Sequence, residues 1–260
     1  MSPRVGIVVP TLGKRPDYLD QCLKSIRLAG DAHILLVAPA SLDIKALKSS
    51  GQIDSFVLDQ GGGLASAINQ GIASLPDSVE HLNWLGDDDL LTPGSLRTCV
   101  ELLDSKPNVV MCFGVCEYID SQGGIVWENH SGQWAVPMLR VGPDLIPQPG
   151  ALFRRSAFET VGGLNTDFGW AFDFDLFIRL SKLGKFKYIN KTLAKFRWHP
   201  DSLSVEHRKQ SVAEASQVRV SHLPVWLRPL SFLWEYPVRQ ATLMAGRRLT
   251  AKAKLKDRVS

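Results

Sequence analysis

Short apolar runs alternate with helix-like segments through the first half of this 260-residue chain. The predicted strands are residues 5–9, 33–37, 53–58, 81–85 and 109–115. The predicted helices, with apolar residues on one face, are 18–28, 64–73 and 95–103. Because βαβ units place helices on the faces of a parallel sheet, this pattern predicts an α/β fold with a Rossmann-like, mostly parallel sheet flanked by helices.

The alternation breaks between residues 117 and 150, where glycines and prolines accumulate and residues 121–124 suggest a hairpin. Long irregular segments of this kind usually cover or shape a site. The α/β pattern then returns with a strand at 151–153, helices at 156–161 and 175–183, and strands at 186–189 and 193–197. We therefore predict one main domain over residues 1–220.

Composition and charge narrow the classes of function that the protein can have. Residues 221–260 hold eight Arg or Lys against Glu235 and Asp257, so they carry +6 and leave −2 on residues 1–220. A mildly acidic main body argues against nucleic-acid binding.

The apolar run at 5–9 is too short for a signal peptide and predicts a cytoplasmic protein. Four cysteines (Cys22, Cys99, Cys112, Cys116) lack zinc-type spacing and are predicted to be small buried residues.

The basic segment 221–260 also contains a stretch rich in Trp and Leu at 225–237. This combination suits a helical tail that lies on an anionic membrane surface, on the cytoplasmic face. Pro229 and Pro237 interrupt it too much for it to span a bilayer. The alternative is a helix that packs on the main domain, or on another copy in a homo-oligomer, with its basic end in solvent.

Three consecutive aspartates, Asp87, Asp88 and Asp89, follow the predicted strand 81–85. Adjacent carboxylates raise one another's pKa, and a divalent cation that prefers oxygen ligands, Mg or Mn, offsets their repulsion. Aspartate is also a turn and N-cap residue, and residues 90–94 look like a turn into a helix. A cap needs only one aspartate, and ligands collect at strand ends of open α/β sheets, so we predict a metal or ligand site.

Three further segments carry chemistry. The glycines at 61–63 precede a helix and would let backbone N–H groups approach a phosphate, although the run lacks a Walker lysine and is also typical of a flexible turn. Asp173 lies among aromatic residues just before a helix. Burial there would raise its pKa and suit it to act as a general base. The alternative is that Asp173 is the N-cap of that helix. His199 follows a strand, and a lone histidine is more often structural than a ligand.

Six motifs follow one another in an order typical of one enzyme family. They are Val8-Val9-Pro10-Thr11, residues 63–72, residues 84–89 with Pro93, residues 148–155, residues 173–176 with Arg179-Leu180, and His199 with Ser202. Over residues 4–205 the chain resembles family 2 glycosyltransferases. The resemblance implies a GT-A fold over residues 1–220, with a nucleotide-sugar half of about 1–116, an acceptor half of about 117–220, and a C-terminal helical extension at 221–260.

The resemblance also implies roles for individual residues. Asp173 matches the catalytic base. The metal motif falls on Asp87, Asp88 and Asp89, and His199 matches a position near the metal or the diphosphate. The implied donor-binding residues are Pro10, Thr11, Gly63, Asn69, Asp87, Asp88, Gln148, Pro149 and Gly150.

The chain departs from the family pattern at three points. If Pro93 sets the register, the first aspartate of the metal motif falls on Gly86, which leaves Asp88 as the main metal ligand with Asp87 or Asp89 as its helper. The acidic residue common after the second strand is missing from residues 37–41, so the nucleotide base stays open. Phe172 replaces an acidic neighbour of the base aspartate, which makes the surroundings of Asp173 more apolar.

The predicted function is inverting transfer of a hexosyl or related sugar from a nucleotide-sugar donor to a hydroxyl of a glycan or lipid-linked acceptor. The mechanism is an in-line displacement with an oxocarbenium-like transition state, assisted by Mn or Mg, with Asp173 as base. Polysaccharide biosynthesis for the cell envelope is consistent with this activity. The alternative is a catalytically silent nucleotide-sugar or glycan-binding protein, whereas nucleotidyltransferases and phosphatases need motifs after the first strand that the sequence at 11–16 lacks.

Overall fold

A computed structural model describes residues 3–198 and 207–257. Its strands are β1 (Val5–Pro10), β2 (His33–Ala38), β3 (Ser55–Leu58), β4 (His81–Trp84), β5 (Leu90–Leu91), β6 (Val109–Ile119), β7 (Ile125–Asn129), β8 (Leu152–Arg154) and β9 (Lys185–Arg197). Its helices are α1 (Pro16–Ala29), α2 (Ile44–Ser49), α3 (Leu64–Ala73), α4 (Ser95–Ser105), α5 (Ala135–Met138), α6 (Arg155–Thr160), α7 (Phe172–Leu180), α8 (Arg208–His222) and α9 (Phe232–Asp257), with 3-10 turns at Gly132–Trp134, Gln148–Gly150 and Val225–Leu230.

The described strands form one sheet in the order β3-β2-β1-β4-β8-β6-β9-β5, and β7 pairs with β6. β1 runs parallel to β2 and β4, β2 to β3, and β6 to β9, while β8, β5 and β7 pair antiparallel. This confirms the predicted α/β fold with a mostly parallel sheet. β8 is the strand whose direction the sequence periodicity did not predict, because three residues are too few to show whether a strand runs parallel or antiparallel.

Alternate residues of β1 enter two different cores. Ile7 and Val9 pack with α1 and α4 on one face, whereas Val8 packs with α3 and α7 on the other. Helices cover both faces, so the strand is buried throughout and reads as a continuous apolar run. The four cysteines are also buried, as predicted, and burial raises the pKa of the Cys22 and Cys116 thiols.

Three predicted boundaries are wrong. The two strands expected at 186–189 and 193–197 are one strand, β9. Its pairing with β6 shifts register around Val115, and the strand continues through polar Asn190 and Lys191. Leu90 and Leu91, expected in a turn, form β5 against β9. The helix expected to begin at Asp175 begins at Phe172, which puts Asp173 in its first turn. The predicted hairpin is confirmed, because residues 120–124 join β6 to β7.

The C-terminal helices pack on the main domain. Arg219 of α8 forms a buried two-pronged ion pair with Glu235 of α9, with both N–O distances 2.7 Å. Farther along α9, Leu249 packs with Trp198 and Val126. The inner face of α9 therefore matches the packing interpretation of the tail. In the described parts of the chain, every helix is too short or too polar to cross a membrane.

Candidate functional site

The site begins at the carboxyl ends of two neighbouring parallel strands. Thr11 follows β1 and Asp87 follows β4, so the topology brings them to the same sheet edge, where open α/β sheets bind ligands. The Thr11 hydroxyl donates a hydrogen bond of 2.5 Å to Oδ2 of Asp87. Two residues that the resemblance assigns to the donor site are thus in direct contact.

Arg15 binds two of the three aspartates. Its Nη2 lies 3.1 Å from Oδ1 of Asp87, and its Nη1 lies 2.9 Å from Oδ2 of Asp88. Burial and the charge of Asp88 raise the pKa of Asp87, while the hydrogen bond from Thr11 and the charge of Arg15 oppose that rise. Sequence reasoning missed Arg15 as a site residue, because nothing local in the sequence indicates that a loop after β1 reaches the turn after β4.

Asp89 has a different setting from its neighbours. It is buried, and its Oδ1 accepts a hydrogen bond of 2.9 Å from the backbone N–H of Arg197 at the end of β9. Burial and the charge of Asp88 raise the pKa of Asp89 well above its usual range. The Arg197 side chain in turn donates to the carbonyl of Asp88 at 3.0 Å. Asp89 therefore ties the aspartate turn to β9.

Gly86 leaves room for this arrangement. A Cβ atom at that position would lie 3.0 Å from Oδ1 of Asp88 and 3.1 Å from Oδ2 of Asp89. Both contacts are tighter than ordinary van der Waals distance. Gly86, on which the first aspartate of the family motif falls if Pro93 sets the register, thus lets the carboxylates of Asp88 and Asp89 fold back over the turn.

The donor chemistry of this turn fits a hard divalent cation. Asp87 and Asp88 offer carboxylate oxygens, which Mg and Mn prefer, and the guanidinium of Arg15 between them shows that the position stabilises positive charge. Among the described residues, no three His, Cys, Asp or Glu side chains are grouped so as to hold a metal ion. His199, the fourth predicted ligand, lies outside the described residues.

A cavity of about 350 Å³ lies beside the aspartates. Residues of the predicted site that line it are Pro10, Asp87, Asp88, Asp89, Gln148, Pro149 and Asp173. Other lining residues are Arg15, Leu64, Trp84, Gly86, Cys116, Tyr118, Asn129, Asp144, Leu145, Ile146, Pro147, Gly169, Trp170, Phe172, Phe196 and Trp198. The turn after β4 and the start of α7 thus line one cavity, although Asp89 and Asp173 are 84 residues apart in the sequence.

Asp173 is half-buried in the first turn of α7, and Ala171 occupies the N-cap position. One of its own oxygens accepts a hydrogen bond of 2.8 Å from the N–H of Phe174. Burial raises the pKa of Asp173 to about 6, although that hydrogen bond opposes the rise. A carboxylate with this pKa is deprotonated at neutral pH yet basic enough to accept a proton.

A second carboxyl group, Asp144, lines the same cavity and was missed by sequence reasoning. Its Oδ1 accepts a hydrogen bond of 3.0 Å from the N–H of Ile146. Burial and the charge of Asp173 raise the pKa of Asp144 well above its usual range. Burial alone raises the pKa of Asp173, whereas the pKa of Asp144 is raised both by burial and by the charge of its neighbour. The irregular stretch around Asp144 has no periodicity that could have placed it.

The Gln148–Gly150 turn is fixed to β4. Nε2 of Gln148 donates to Oδ1 of Asn83 at 2.9 Å and to the carbonyl of Trp84 at 2.8 Å. Asn83 returns a hydrogen bond of 2.9 Å to the carbonyl of Pro149. Gly150 is buried behind the cavity, where a Cβ would meet that of Leu193 at 3.3 Å.

Gly63 and Asn69, two predicted donor residues, are not among the residues that line the cavity. Gly63 is the N-cap of α3 with a φ of 89°, and its neighbour Leu64 lines the cavity. Asn69 holds the backbone of Leu164 with hydrogen bonds of 2.8 and 2.9 Å. Their assignment to donor binding stays a prediction.

An aromatic wall also escaped sequence reasoning. Tyr118 of β6 packs on Phe196 and Trp198, with ring centroids 5.3 and 5.7 Å apart. The Trp198 indole donates to Oγ1 of Thr250 in α9 at 3.2 Å, which links the cavity wall to the C-terminal helix. Only the pairing of β6 with β9 brings these rings together, so local sequence gave no signal.

Comparison with known proteins identifies the family. The model of "Glycosyl transferase family 2" matches residues 6–162, more than half of the chain. The chondroitin synthase of Pasteurella multocida strain Pm70 is 22% identical over 217 residues, which are 79% of this chain and 22% of that protein. The hyaluronan synthase of Pasteurella multocida is 22% identical over 216 residues, 78% of this chain and 21% of that protein. The chain thus spans about a fifth of the length of these relatives.

Solved structures match almost the whole chain. The mannosyltransferase PcManGT from Pyrobaculum calidifontis, in complex with GDP-Man and Mn2+, has a TM-score of 0.62 and 18% identity, over 98% of this chain and 74% of that one. TarS 1-349 of S. aureus, in complex with UDP-GlcNAc, has a TM-score of 0.61 and 10% identity, over 98% and 92%. These likenesses confirm the GT-A fold. On the match of the family model, the chain belongs to glycosyltransferase family 2.

Proposed function

We propose that the protein transfers a sugar from a nucleotide-sugar donor to a hydroxyl group of a glycan or lipid-linked acceptor, with inversion at the anomeric carbon. One observation carries the proposal. A single cavity is lined both by Asp87 and Asp88 and by Asp173, the carboxylate with a pKa of about 6. Carboxylates that can hold a cation for a diphosphate, and a general base, are the two components that such a displacement needs.

The donor would lie at the edge of β1 and β4. Pro10, Asp87 and Asp88 line the cavity there, and Thr11 supports Asp87. Gln148, Pro149 and Gly150 would border the sugar, and Gly63 and Asn69 are further candidates. The names of two structural neighbours support a nucleotide-sugar donor, since those proteins are described with GDP-Man and with UDP-GlcNAc.

Asp88, with Asp87, would hold Mn or Mg, and Asp89 and His199 are further predicted ligands. When bound, the cation would neutralise charge on the donor diphosphate. Arg15 now binds the same two carboxylates, so it would have to release them. Its flexible side chain can then turn toward a phosphate oxygen, because arginine is well suited to phosphate.

Asp173 would accept the proton of the acceptor hydroxyl as that oxygen attacks the anomeric carbon. The new bond forms as the bond from that carbon to the diphosphate oxygen breaks, and the nucleoside diphosphate leaves with its electron pair. Phe172 and Trp170 line the cavity beside the base and limit the access of water to it. Asp144 lines the same cavity, and burial and the charge of Asp173 raise its pKa.

The outer face of α9 would lie on an anionic membrane that carries the acceptor. The exposed large apolar side chains before and along this helix are Val225, Trp226, Leu230, Phe232, Leu233, Tyr236 and Met244. Exposed Arg228, Arg239, Arg247, Arg248 and Lys252 accompany them, whereas the one acid between residues 225 and 252, Glu235, is buried against Arg219. A segment that exposes both apolar and basic side chains complements anionic lipid. This contact would make the protein peripheral on the cytoplasmic face.

A thermal-shift screen of nucleotide sugars, with and without Mn, tests the donor assignment. A ligand that binds only the native state raises the melting temperature by mass action. We expect a Mn-dependent rise with one nucleotide family, and we expect Asp88→Asn to lose that rise. A melting temperature that no donor changes would refute the proposal. Donor binding without transfer to any acceptor would favour the catalytically silent alternative.

A further inference from the structure

Helix α8 supplies the cap for the helix that carries Asp173. Oε1 of Glu214 accepts a hydrogen bond of 3.1 Å from the N–H of Gly169. Oε2 accepts two more, of 2.7 Å from Trp170 and 3.0 Å from Ala171. Ala171 is the N-cap residue of α7 and has no side-chain oxygen, so a carboxylate 43 residues away satisfies the free N–H groups that precede the helix.

The same helix contacts the surroundings of Asp173 at two more places. His207, just before α8, stacks on Trp170, with ring centroids 4.4 Å apart. Arg219 donates to the carbonyl of Gly142 at 3.1 Å, two residues before Asp144, and lies 5.7 Å from the ring centre of Phe174. Residues 207, 214 and 218 fall on one face of a helix, and Val218 is fully buried in the main core. α8 therefore supports the backbone on both sides of the base.

Asp175 in the first turn of α7 and Arg179 in its last turn are held by contacts that do not involve Glu214. Asp175 pairs with Arg179 at 2.7 Å and with His222 at 2.8 Å. Burial alone would raise the pKa of Asp175, but the hydrogen bond from His222 and the charge of Arg179 lower it below its usual value. Loss of the Glu214 contacts should therefore loosen only the turn at 169–171 and the first turn of α7, and leave the rest of the helix packed.

We propose that Glu214 is a positioning residue for Asp173. Three charge-assisted hydrogen bonds to one carboxylate fix the backbone two residues before the base, and a negative charge there complements the helix dipole. A closed turn also keeps water from Asp173, and that burial is what raises its reactivity as a base. The inference rests on the proposed role of Asp173 as the base.

The test compares Glu214→Gln with Gln217→Ala in the full-length protein. Gln217 is exposed on the same helix, one turn away. In Glu214→Gln we expect hydrogen exchange of the Gly169, Trp170 and Ala171 amides to rise about tenfold or more, since an amide side chain has one acceptor and repels the other N–H groups. We expect kcat to fall about tenfold with the donor Kd unchanged, and the acidic limb of the kcat profile to move to lower pH. The Gln217→Ala protein should match the wild type in every measurement.

Two outcomes would overturn the inference. One is unchanged exchange of the three amides in Glu214→Gln. The other is faster exchange with kcat and its pH profile unchanged, which would make Glu214 a cap without influence on the base. If Glu214→Gln does not fold, Glu214→Asp keeps the charge with a shorter reach and should show the same changes at smaller size. Amide exchange does not depend on the chemistry of Asp173, so a failure of the base assignment would be separately visible as normal transfer by Asp173→Asn.

Discussion

The guanidinium of Arg15 lies 2.9 Å from the carboxylate of Asp88, from Nη1 to Oδ2, and the same side chain also reaches Asp87. A positive group of the protein itself thus occupies the place at which we propose that a divalent cation binds. The two cations would compete for the same oxygens, because two positive charges within a few ångströms repel each other.

Replacing Arg15 should therefore strengthen metal binding. For Arg15→Gln without nucleotide, we expect the Kd for Mn to fall about tenfold, equivalent to about 1.4 kcal/mol. Titration calorimetry of the protein with Mn measures this directly and needs no acceptor. Arg27→Gln is the matched control, because Arg27 lies in the last turn of α1, whose N-cap residue is Arg15, and pairs with Asp54, which is not a cavity residue. Equal or weaker Mn affinity in Arg15→Gln would show that Arg15 does not compete.

Transfer should depend on pH through Asp173. Its pKa is about 6, so kcat should be constant near neutral pH and fall about tenfold per pH unit below about pH 6. We expect Asp144→Asn to leave that limb in place, because burial rather than a neighbouring charge raises the pKa of Asp173. Rate profiles of the two proteins between pH 4.5 and 8, roughly the range over which an acid of this pKa changes charge, make the comparison. A limb that moves in Asp144→Asn would mean that the two carboxyl groups share the titration.

The raised pKa of Asp173 has a consequence for stability. A group whose folded-state pKa lies above its unfolded value favours folding when protonated, and this contribution is lost as the pH rises through the folded-state value. The charged form of Asp173 therefore costs stability above about pH 6. Asp173→Asn should melt higher than the wild type at about pH 8, with no gain at about pH 4. Each kcal/mol gained would raise the melting temperature by roughly 2–4 °C, and a variant that melts lower than the wild type at both pH values would contradict this account.

Membrane contact should require both the apolar and the basic side chains of α9. We expect the protein to float with vesicles that contain anionic lipid and not with purely zwitterionic ones. Replacing Phe232 and Tyr236 together by serine should weaken partition about tenfold or more, since each loses apolar surface that lipid would cover. Leu28→Ser is the control, because Leu28 is equally exposed but lies on α1. If the protein does not bind anionic vesicles and elutes as a dimer, a second copy covers this face instead of lipid.

Local sequence patterns were enough to predict the framework. Buried strands such as β1 form apolar runs, amphipathic helices show on one face, and strand ends in a parallel sheet share an edge, so Thr11 and Asp87 could be expected near each other. The raised pKa of Asp173 could also be predicted, because aromatic residues surround it in the sequence itself.

Contacts between distant segments could not be predicted in the same way. Arg15 meets Asp88 across 73 residues, and Glu214 meets the turn at 169–171 across more than 40. Neither pair belongs to a repeating pattern, because each depends on how helices and loops pack after the sheet has formed. The sequence left open whether the basic tail lies on a membrane or packs on the main domain, and it could not show the inner face of α9, where Glu235 and Thr250 bind the main domain through Arg219 and Trp198.

The central claim is that Asp173 is the base of a sugar transfer. The direct measurement is the turnover of Asp173→Asn with the donor found by thermal shift and an acceptor that the wild-type protein glycosylates. We expect kcat to be lower by about 100-fold or more, with the donor Kd unchanged, because general bases contribute roughly 10²–10⁴ to the rate. Transfer by Asp173→Asn at a nearly normal rate would contradict the account.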